Sequence, residues 1–158
     1  CIRDRSAAAK QLQPRIRNQN AILEIILNTA ARRCEQEAIQ LSLEIEDFPM
    51  DFLSDMDTTT IFSNLLDNAI DACMELDRSV KRIEVVLCQK MGLLALRMTN
   101  TCQAAADLSP RQWHSTKKDH MGIGLSNVRK TVEKYHGVVS VRTKEELFQV
   151  SVTIPIKS

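Results

Sequence analysis

The sequence lacks the features that mark several classes of protein. Its net charge at pH 7 is only +1 over 158 residues, so no overall field attracts nucleic acid or an anionic membrane. No apolar run reaches the roughly 18 residues that predict a membrane-spanning helix. The five cysteines are an odd number without zinc-site or disulfide-framework spacing. We therefore expect a globular cytoplasmic domain with reduced thiols and no nucleic-acid partner.

Glycine is also scarce, and half of the glycines lie together. The chain has four glycines, of which Gly122 and Gly124 form a Gly-x-Gly pair. Helical periodicity follows from Ser126 to His136, and Gly137 is well placed as the C′ residue of that helix. Glycines at a helix start let backbone N–H groups approach a ligand, and the helix N-terminus favours negative charge. The pair is compatible with phosphate binding, but by itself it is equally typical of a tight turn.

A second helix has an unusual polar stripe. Helical spacing places Asn64, Asn68 and Asp71 on one side, while apolar residues cover the rest of the surface. The threonines at 58–60 are its N-cap candidates. Asparagine is a poor helix former, so two of them on a core-packed helix indicate a need for amide oxygens. Mg²⁺ prefers oxygen ligands of this kind, although any polar face could carry the same stripe.

Periodicity and chain breakers predict the remaining elements. Helices are expected at about 18–38, 58–73 and 126–136, and strands at 41–46, 82–89, 93–99, 138–143 and 148–154. Gly92 supports a tight hairpin between the second and third strands. The order α-β-α-β-β-loop-α-β-β predicts an α+β fold with helices on one face of the sheet. Residues 101–121 lack periodicity, which is typical of a functional lid or of disorder.

The asparagine helix, the long loop and the Gly-x-Gly helix start together resemble a known family. Asn-Leu-Leu-Asp-Asn-Ala-Ile-Asp-Ala at 64–72 and Gly-Ile-Gly-Leu-Ser-Asn-Val-Arg at 122–129 are similar to the N box and G2 box of the GHKL superfamily, with the ATP lid between them. The closest resemblance is to catalytic domains of sensor histidine kinases, particularly the branch that senses quorum peptides in Gram-positive bacteria. It runs from about Asn18 to Ile156 and implies the Bergerat fold, a two-layer α/β sandwich with a mixed, mostly antiparallel sheet.

The resemblance implies a site for ATP and Mg²⁺. It makes Asn68 the metal ligand and places Asn64 at the phosphate end of the pocket, both in catalytic positions. The other residues that it implies bind the nucleotide are Asp71, Asn100, Lys117, Lys118, Gly122, Gly124 and Leu125. For Asn64 the simpler alternative is an amide that bonds a neighbouring loop. For Asp71 and the two lysines it is a solvated charge.

One departure from the family pattern concerns hydrolysis. ATPase members commonly carry a glutamate one turn before the metal asparagine, as a base for water. Asn64 stands at that position here, and an amide cannot take a proton. Transfer to histidine needs no such base, because neutral histidine is already nucleophilic. Positioning and charge stabilisation then supply most of the catalysis. A kinase therefore fits this sequence better than an ATPase.

A second departure concerns the adenine end. The family's Asp-x-Gly-x-Gly box is replaced by Thr99-Asn-Thr-Cys102, which has no glycine. Asn100 falls at the aspartate position, where its amide oxygen can still accept from adenine N6. A neutral acceptor makes a weaker hydrogen bond than a charged one. The quorum-peptide branch also lacks a regular box, so this departure fits that branch.

These features predict the catalytic domain of a two-component sensor histidine kinase, which passes the γ-phosphate of Mg-ATP to a histidine on an upstream dimerisation helix and then to a response regulator. Residues 1–38 are expected to be the end of that helix and its linker, and 39–158 the ATP-binding domain. Because the chain begins at Cys1, we expect it to be part of a longer protein. The resemblance implies that this parent protein is membrane-anchored and homodimeric. The rivals are a non-catalytic GHKL scaffold, motivated by the missing glycines, and a serine kinase of the same fold.

Overall fold

The computed structural model describes residues 16–76, 80–102 and 121–156. Within these ranges the elements follow the predicted order of helices and strands. They are α1 (Ala21–Gln36), β1 (Gln40–Ile45), α2 (Asp55–Met74), β2 (Arg82–Lys90), β3 (Leu93–Thr101), α3 (Met121–Lys134), β4 (Val138–Lys144) and β5 (Leu147–Pro155). The periodicity of the sequence therefore located each of these elements to within a few residues.

The five strands form one mixed sheet in the order β1-β2-β3-β5-β4. β1 and β2 are parallel, which requires a crossover connection, and α2 provides it. The other neighbours are antiparallel. The β2–β3 hairpin turns through Met91 and Gly92, both with positive φ, as the primed two-residue turns require. The predicted α+β fold is confirmed.

The core lies between the sheet and the helices. Every second residue of β2, β3 and β5 is buried, so the sheet has one buried face. Helix α1 shares the same core, through Leu23, Leu27, Ala30 and Cys34. Residues 21–36 therefore belong to the same folding unit as the sheet, although they fall within the segment 1–38 that the sequence assigns to a dimerisation helix and linker. That division remains a prediction.

Helix α2 begins earlier than the sequence suggests. Its N-cap is Ser54, whose Oγ accepts a hydrogen bond from the Asp57 N–H at 3.0 Å. The prediction of an N-cap at residues 58–60 was wrong. These three threonines are already helical, and each hydroxyl donates to the carbonyl four residues earlier, at 2.9–3.0 Å. Such bonds let threonine occupy a helix interior despite its preference for caps.

The end of α3 also differs from the prediction. His136, with φ 64°, is the residue in the left-handed conformation that follows the helix. The expectation that Gly137 takes this position was wrong. A Cβ on Gly137 would lie 2.4 Å from the Thr153 carbonyl oxygen and 2.7 Å from Val132 Cγ1. Glycine is needed there because α3 passes closely against β5.

Candidate functional site

The two unusual sequence segments meet where α2 packs on α3. Gly124 lies in the first turn of α3, directly beside the asparagine stripe of α2. A Cβ on Gly124 would lie 3.4 Å from Asn68 Oδ1 and 3.5 Å from Asn64 Oδ1. The Asn64 amide oxygen, the Asn68 amide and the start of a helix therefore lie together. The family resemblance, and not the separate patterns, implied that these residues share a site.

Asn68 is the most unusual of these residues. It is only 7% exposed, yet its carboxamide has no hydrogen-bond partner among the described residues. A buried amide without a partner costs about 1–3 kcal/mol. Among the described residues nothing pairs with this polar group, which makes it a candidate to bind an external ligand.

Asn64 is held in a different way. Its Nδ2 donates to the Thr60 carbonyl oxygen of its own helix at 2.8 Å. This bond fixes the plane of the half-buried amide and leaves Oδ1 on the side of Gly124. The bond runs to the same helix, whereas the alternative interpretation expected a bond to a neighbouring loop. Asn64 therefore presents an oriented acceptor next to that of Asn68.

The start of α3 supplies donors to the same point. The first four N–H groups of a helix have no intrahelical partner, and the helix dipole makes that end positive. In α3 these groups belong to residues 121–124, which include Gly122 and Gly124. Leu125 is 1% exposed and anchors the first turn in the core together with Val128 and Val132. The first turn can therefore bind an anion while its apolar side holds it in place.

Asp71 lies apart from this convergence. Its Oδ1 is 3.7 Å from Arg33 Nη2 of α1, while Arg33 Nη1 contacts Asp67 Oδ1 at 2.9 Å. Partial burial raises the pKa of Asp67, and the negative charge of Asp71 raises it further. The Arg33 charge lowers this pKa but only partly offsets the rise. The sequence analysis did not identify Arg33, although the Asp67 and Asp71 pair at i, i+4 could have suggested a cation opposite. The role of Asp71 in nucleotide binding stays a prediction.

Asn100 occupies the end of β3. It is 3% exposed and continues the buried alternation of Leu94, Leu96 and Met98. Its Nδ2 donates to the Thr101 carbonyl oxygen at 2.9 Å, whereas no described residue donates to its Oδ1. Cys73 Sγ lies 3.6 Å from Thr101 Oγ1, so this strand end is beside the last turn of α2. Asn100 is therefore oriented as an acceptor.

Two predicted site residues, Lys117 and Lys118, lie outside the described residues, as does most of the lid. Within the described ranges no three histidine, cysteine, aspartate or glutamate side chains are grouped so as to hold a metal ion. None of the three described helices is both long and apolar enough to cross a bilayer.

Comparison with known proteins identifies the family. A family model for the GHKL domain matches residues 53–155, well over half of the chain. The chain belongs to the GHKL family. The matched segment contains the asparagine helix, Asn100 and the start of α3, which are the elements that build the site. A sequence search of curated proteins found no match.

Solved structures of histidine kinases share the fold. Histidine kinase AdeS of Acinetobacter baumannii superposes with a TM-score of 0.67 at 14% identity, covering 96% of this chain and 74% of that one. The catalytic domain of histidine kinase ThkA gives 0.65 at 16%, with 88% and 92% covered. The mycobacterial sensor histidine kinase MprB gives 0.64 at 17%, with 85% and 95% covered. At such identities the likeness establishes the fold of this GHKL chain.

Proposed function

We propose that this GHKL chain is the ATP-binding catalytic domain of a sensor histidine kinase. It would transfer the γ-phosphate of Mg-ATP to a histidine on a dimerisation helix, from which a response regulator receives it. The parent protein would be a membrane-anchored homodimer with this domain in the cytoplasm. The family and the fold shared with AdeS, ThkA and MprB support this proposal.

The observation that carries the proposal is the Asn68 amide beside Gly124, with which no described residue pairs. Mg²⁺ binds through one or two protein oxygens and takes its other ligands from water and substrate phosphates. A site with the amides of Asn64 and Asn68 beside Gly124, and with no cluster of three acidic, histidine or cysteine side chains among the described residues, fits that requirement. When bound, the metal would neutralise charge on the phosphates.

The other residues suit phosphoryl transfer better than hydrolysis. The N–H groups at the start of α3 would bind phosphate oxygens, and the helix dipole favours their charge. Asn64 can orient a polar group, but its amide cannot accept a proton from water. A neutral imidazole is already nucleophilic and needs no base. These properties support a kinase, in which the chain positions the phosphate and the histidine acceptor attacks it.

The remaining roles follow the same proposal. Asn100 Oδ1 would accept from the adenine amino group, since its Nδ2 is already bonded to Thr101. Asp71, Lys117 and Lys118 are proposed to contact the nucleotide or the lid. The neutral Asn100 is the weakest part of the site, because a charged acceptor binds more strongly. It is the feature that keeps a non-catalytic scaffold as a second candidate.

Calorimetric titration with Mg-ATP tests nucleotide binding. We expect the wild type to bind and Asn68→Ala to bind at least about tenfold more weakly, which corresponds to about 1.4 kcal/mol. Ser63→Ala is the matched control, because Ser63 lies on the same helix but faces α1. The control should bind like the wild type. If the wild type does not bind at millimolar nucleotide, the kinase proposal is wrong and the scaffold is favoured.

Incubation with a separately expressed dimerisation helix and labelled ATP tests the acceptor. Phosphohistidine is acid-labile, whereas phosphoserine survives acid. We expect label that acid removes. Acid-stable label would favour a serine kinase of the same fold.

A further inference from the structure

A second polar cluster joins the same two helices at their opposite ends. Asp57, in the first turn of α2, accepts hydrogen bonds at Oδ2 from the Tyr135 hydroxyl and from Lys134 Nζ, the latter at 2.7 Å. The Ser54 N–H approaches the Tyr135 hydroxyl oxygen at 3.4 Å. Lys134 Nζ also lies 5.5 Å from the centre of the Tyr135 ring. We call Asp57, Lys134 and Tyr135 the clamp.

The clamp holds a buried charge. Asp57 is 6% exposed. Burial by itself raises the pKa of Asp57, but hydrogen bonds from Lys134, Tyr135 and Ser54 outweigh it and leave the pKa below its ordinary value. The carboxylate is therefore ionised at neutral pH and depends on its partners. A buried charge that depends on directed bonds constrains geometry far more than apolar contacts do.

The position of the clamp relates it to the nucleotide site. The α2 and α3 helices are antiparallel, with Asp57 opposite Tyr135 and Asn68 beside Gly124. The same number of residues separates Asp57 from Asn68 on α2 as separates Gly124 from Tyr135 on α3. At 1.5 Å per residue both distances are about 16 Å. A shift of α3 along α2 at the clamp would therefore move Gly124 past Asn68 by the same amount.

The apolar contacts between the two ends hold this register less specifically than directed bonds do. Leu125, Val128 and Val132 bury their side chains in the core, but apolar attraction is non-directional. Gly124 has no side chain with which to interlock with α2. Among the described contacts between α2 and α3, the hydrogen bonds of the clamp are the directed ones.

We infer that the clamp of Asp57, Lys134 and Tyr135 sets the register of α3 on α2 and so positions Gly124 against Asn68 for nucleotide binding. This inference rests on the proposed function for its consequence, but its geometric part can be measured without nucleotide. The three residues are positioning residues, because they lie about 16 Å from the site.

Mg-ATP affinity is the first test, in the full chain and well below the unfolding temperature. We expect Asp57→Asn to weaken binding about tenfold, since a small displacement of a positioned group has effects of this size. Lys134→Met should weaken it less, and Lys134→Arg should restore it. Val150→Ala, on the buried face of β5, is a destabilised control that should keep wild-type affinity. If it weakens binding as much as Asp57→Asn does, the clamp acts only through stability and the inference is wrong.

Nuclear magnetic resonance of the nucleotide-free protein is the second test. We expect Asp57→Asn to shift the side-chain amide signals of Asn64 and Asn68 and to reduce hydrogen-exchange protection in α3 at 125–128. Val150→Ala should leave those amide signals in place. Unchanged signals in Asp57→Asn would overturn the inference. Because no nucleotide is needed, this result stands even if the wild type fails to bind Mg-ATP, an outcome that would count against the proposed function alone.

Discussion

Buried polar groups at the two ends of the α2–α3 pair differ in their hydrogen-bond partners. At the clamp, the Asp57 carboxylate is paired with Tyr135 and Lys134. At the site, no described residue pairs with the Asn68 amide or with Asn64 Oδ1, while Asn64 Nδ2 bonds its own helix. Within the described part of the chain, the same two helices thus provide one polar cluster that is paired and one that is paired only in part.

This difference separates a structural cluster from a binding cluster. A satisfied polar group contributes modestly to stability, whereas an unsatisfied one costs about 1–3 kcal/mol. A fold keeps such a cost where function requires the group. Burial alone would rank Asp57 and Asn68 together, since both are less than a tenth exposed. Their hydrogen-bond partners distinguish them.

The largest expected effect is on stability, and it should appear at one end only. Asp57→Ala leaves Lys134 and Tyr135 without their partner, so we expect it to lower the free energy of unfolding by about 2–3 kcal/mol. This figure is at the low end for a buried ion pair, because Lys134 is largely exposed and solvent screens its charge. Asn68→Ala removes an amide with which no described residue pairs, and it should change the free energy of unfolding by less than about 1 kcal/mol. Urea denaturation at pH 7 measures both. Equal losses would show that Asn68 is an ordinary structural residue.

A pair of glycines sharpens the same comparison. Gly137→Ala would place a Cβ 2.4 Å from the Thr153 carbonyl oxygen, and such overpacking costs about 2 kcal/mol. A Cβ at Gly124 would make ordinary contacts with Asn64 and Asn68. The free energy of unfolding of Gly124→Ala should therefore stay within about 0.5 kcal/mol of the wild type, because the higher helix propensity of alanine offsets the added crowding.

Nucleotide affinity should rank the two glycine variants in the opposite order from stability. The Gly124→Ala methyl group stands between the two amides and a ligand, so Mg-ATP affinity should fall about fivefold, or roughly 1 kcal/mol. Gly137→Ala should retain affinity at a temperature where it is folded. Thermal unfolding and calorimetry on the two variants test this. If Gly124→Ala binds like the wild type, the ligand does not lie where the two helices converge.

The sequence was informative where a feature depends on local spacing. Asn64 and Asn68 are one helical turn apart, so periodicity alone places them on one side of α2. Gly124 was marked because glycines are rare in the chain. The prediction for the end of α3 failed because of tertiary packing: β5 passes so close to Gly137 that only glycine fits, and His136 takes the left-handed position.

The clamp could not be predicted from spacing. Tyr135 and Asp57 are 78 residues apart, and only the antiparallel packing of α2 on α3 brings them together. The N-cap prediction failed for a local reason. Ser54, three residues before Asp57, already accepts a hydrogen bond from the Asp57 N–H, so the helix begins before Thr58–Thr60. Locally, Asp57 was simply an acidic residue near a helix start.

The smallest expected effect is the pH dependence of the clamp. The folded-state pKa of Asp57 is lowered, so its contribution to stability is present above its unfolded value of about 3.9 and is lost as pH falls through the folded value. The pKa of Lys134 is raised, chiefly by its bond to Asp57, so its contribution is present below about 10.4 and is lost as pH rises through the folded value.

The free energy of unfolding should therefore differ between the wild type and Asp57→Asn by a constant amount from about pH 3.9 to about pH 10.4. The difference should become smaller at lower and at higher pH. Urea titrations at successive pH values measure it. The corresponding difference for Asn68→Ala should not vary with pH, because no titrating group among the described residues bonds its amide. If the Asp57→Asn difference persists below the acid limit, Asp57 stabilises the helices as a neutral group and the clamp is not an ion pair. The contrast between the two ends would then lie in hydrogen bonding alone.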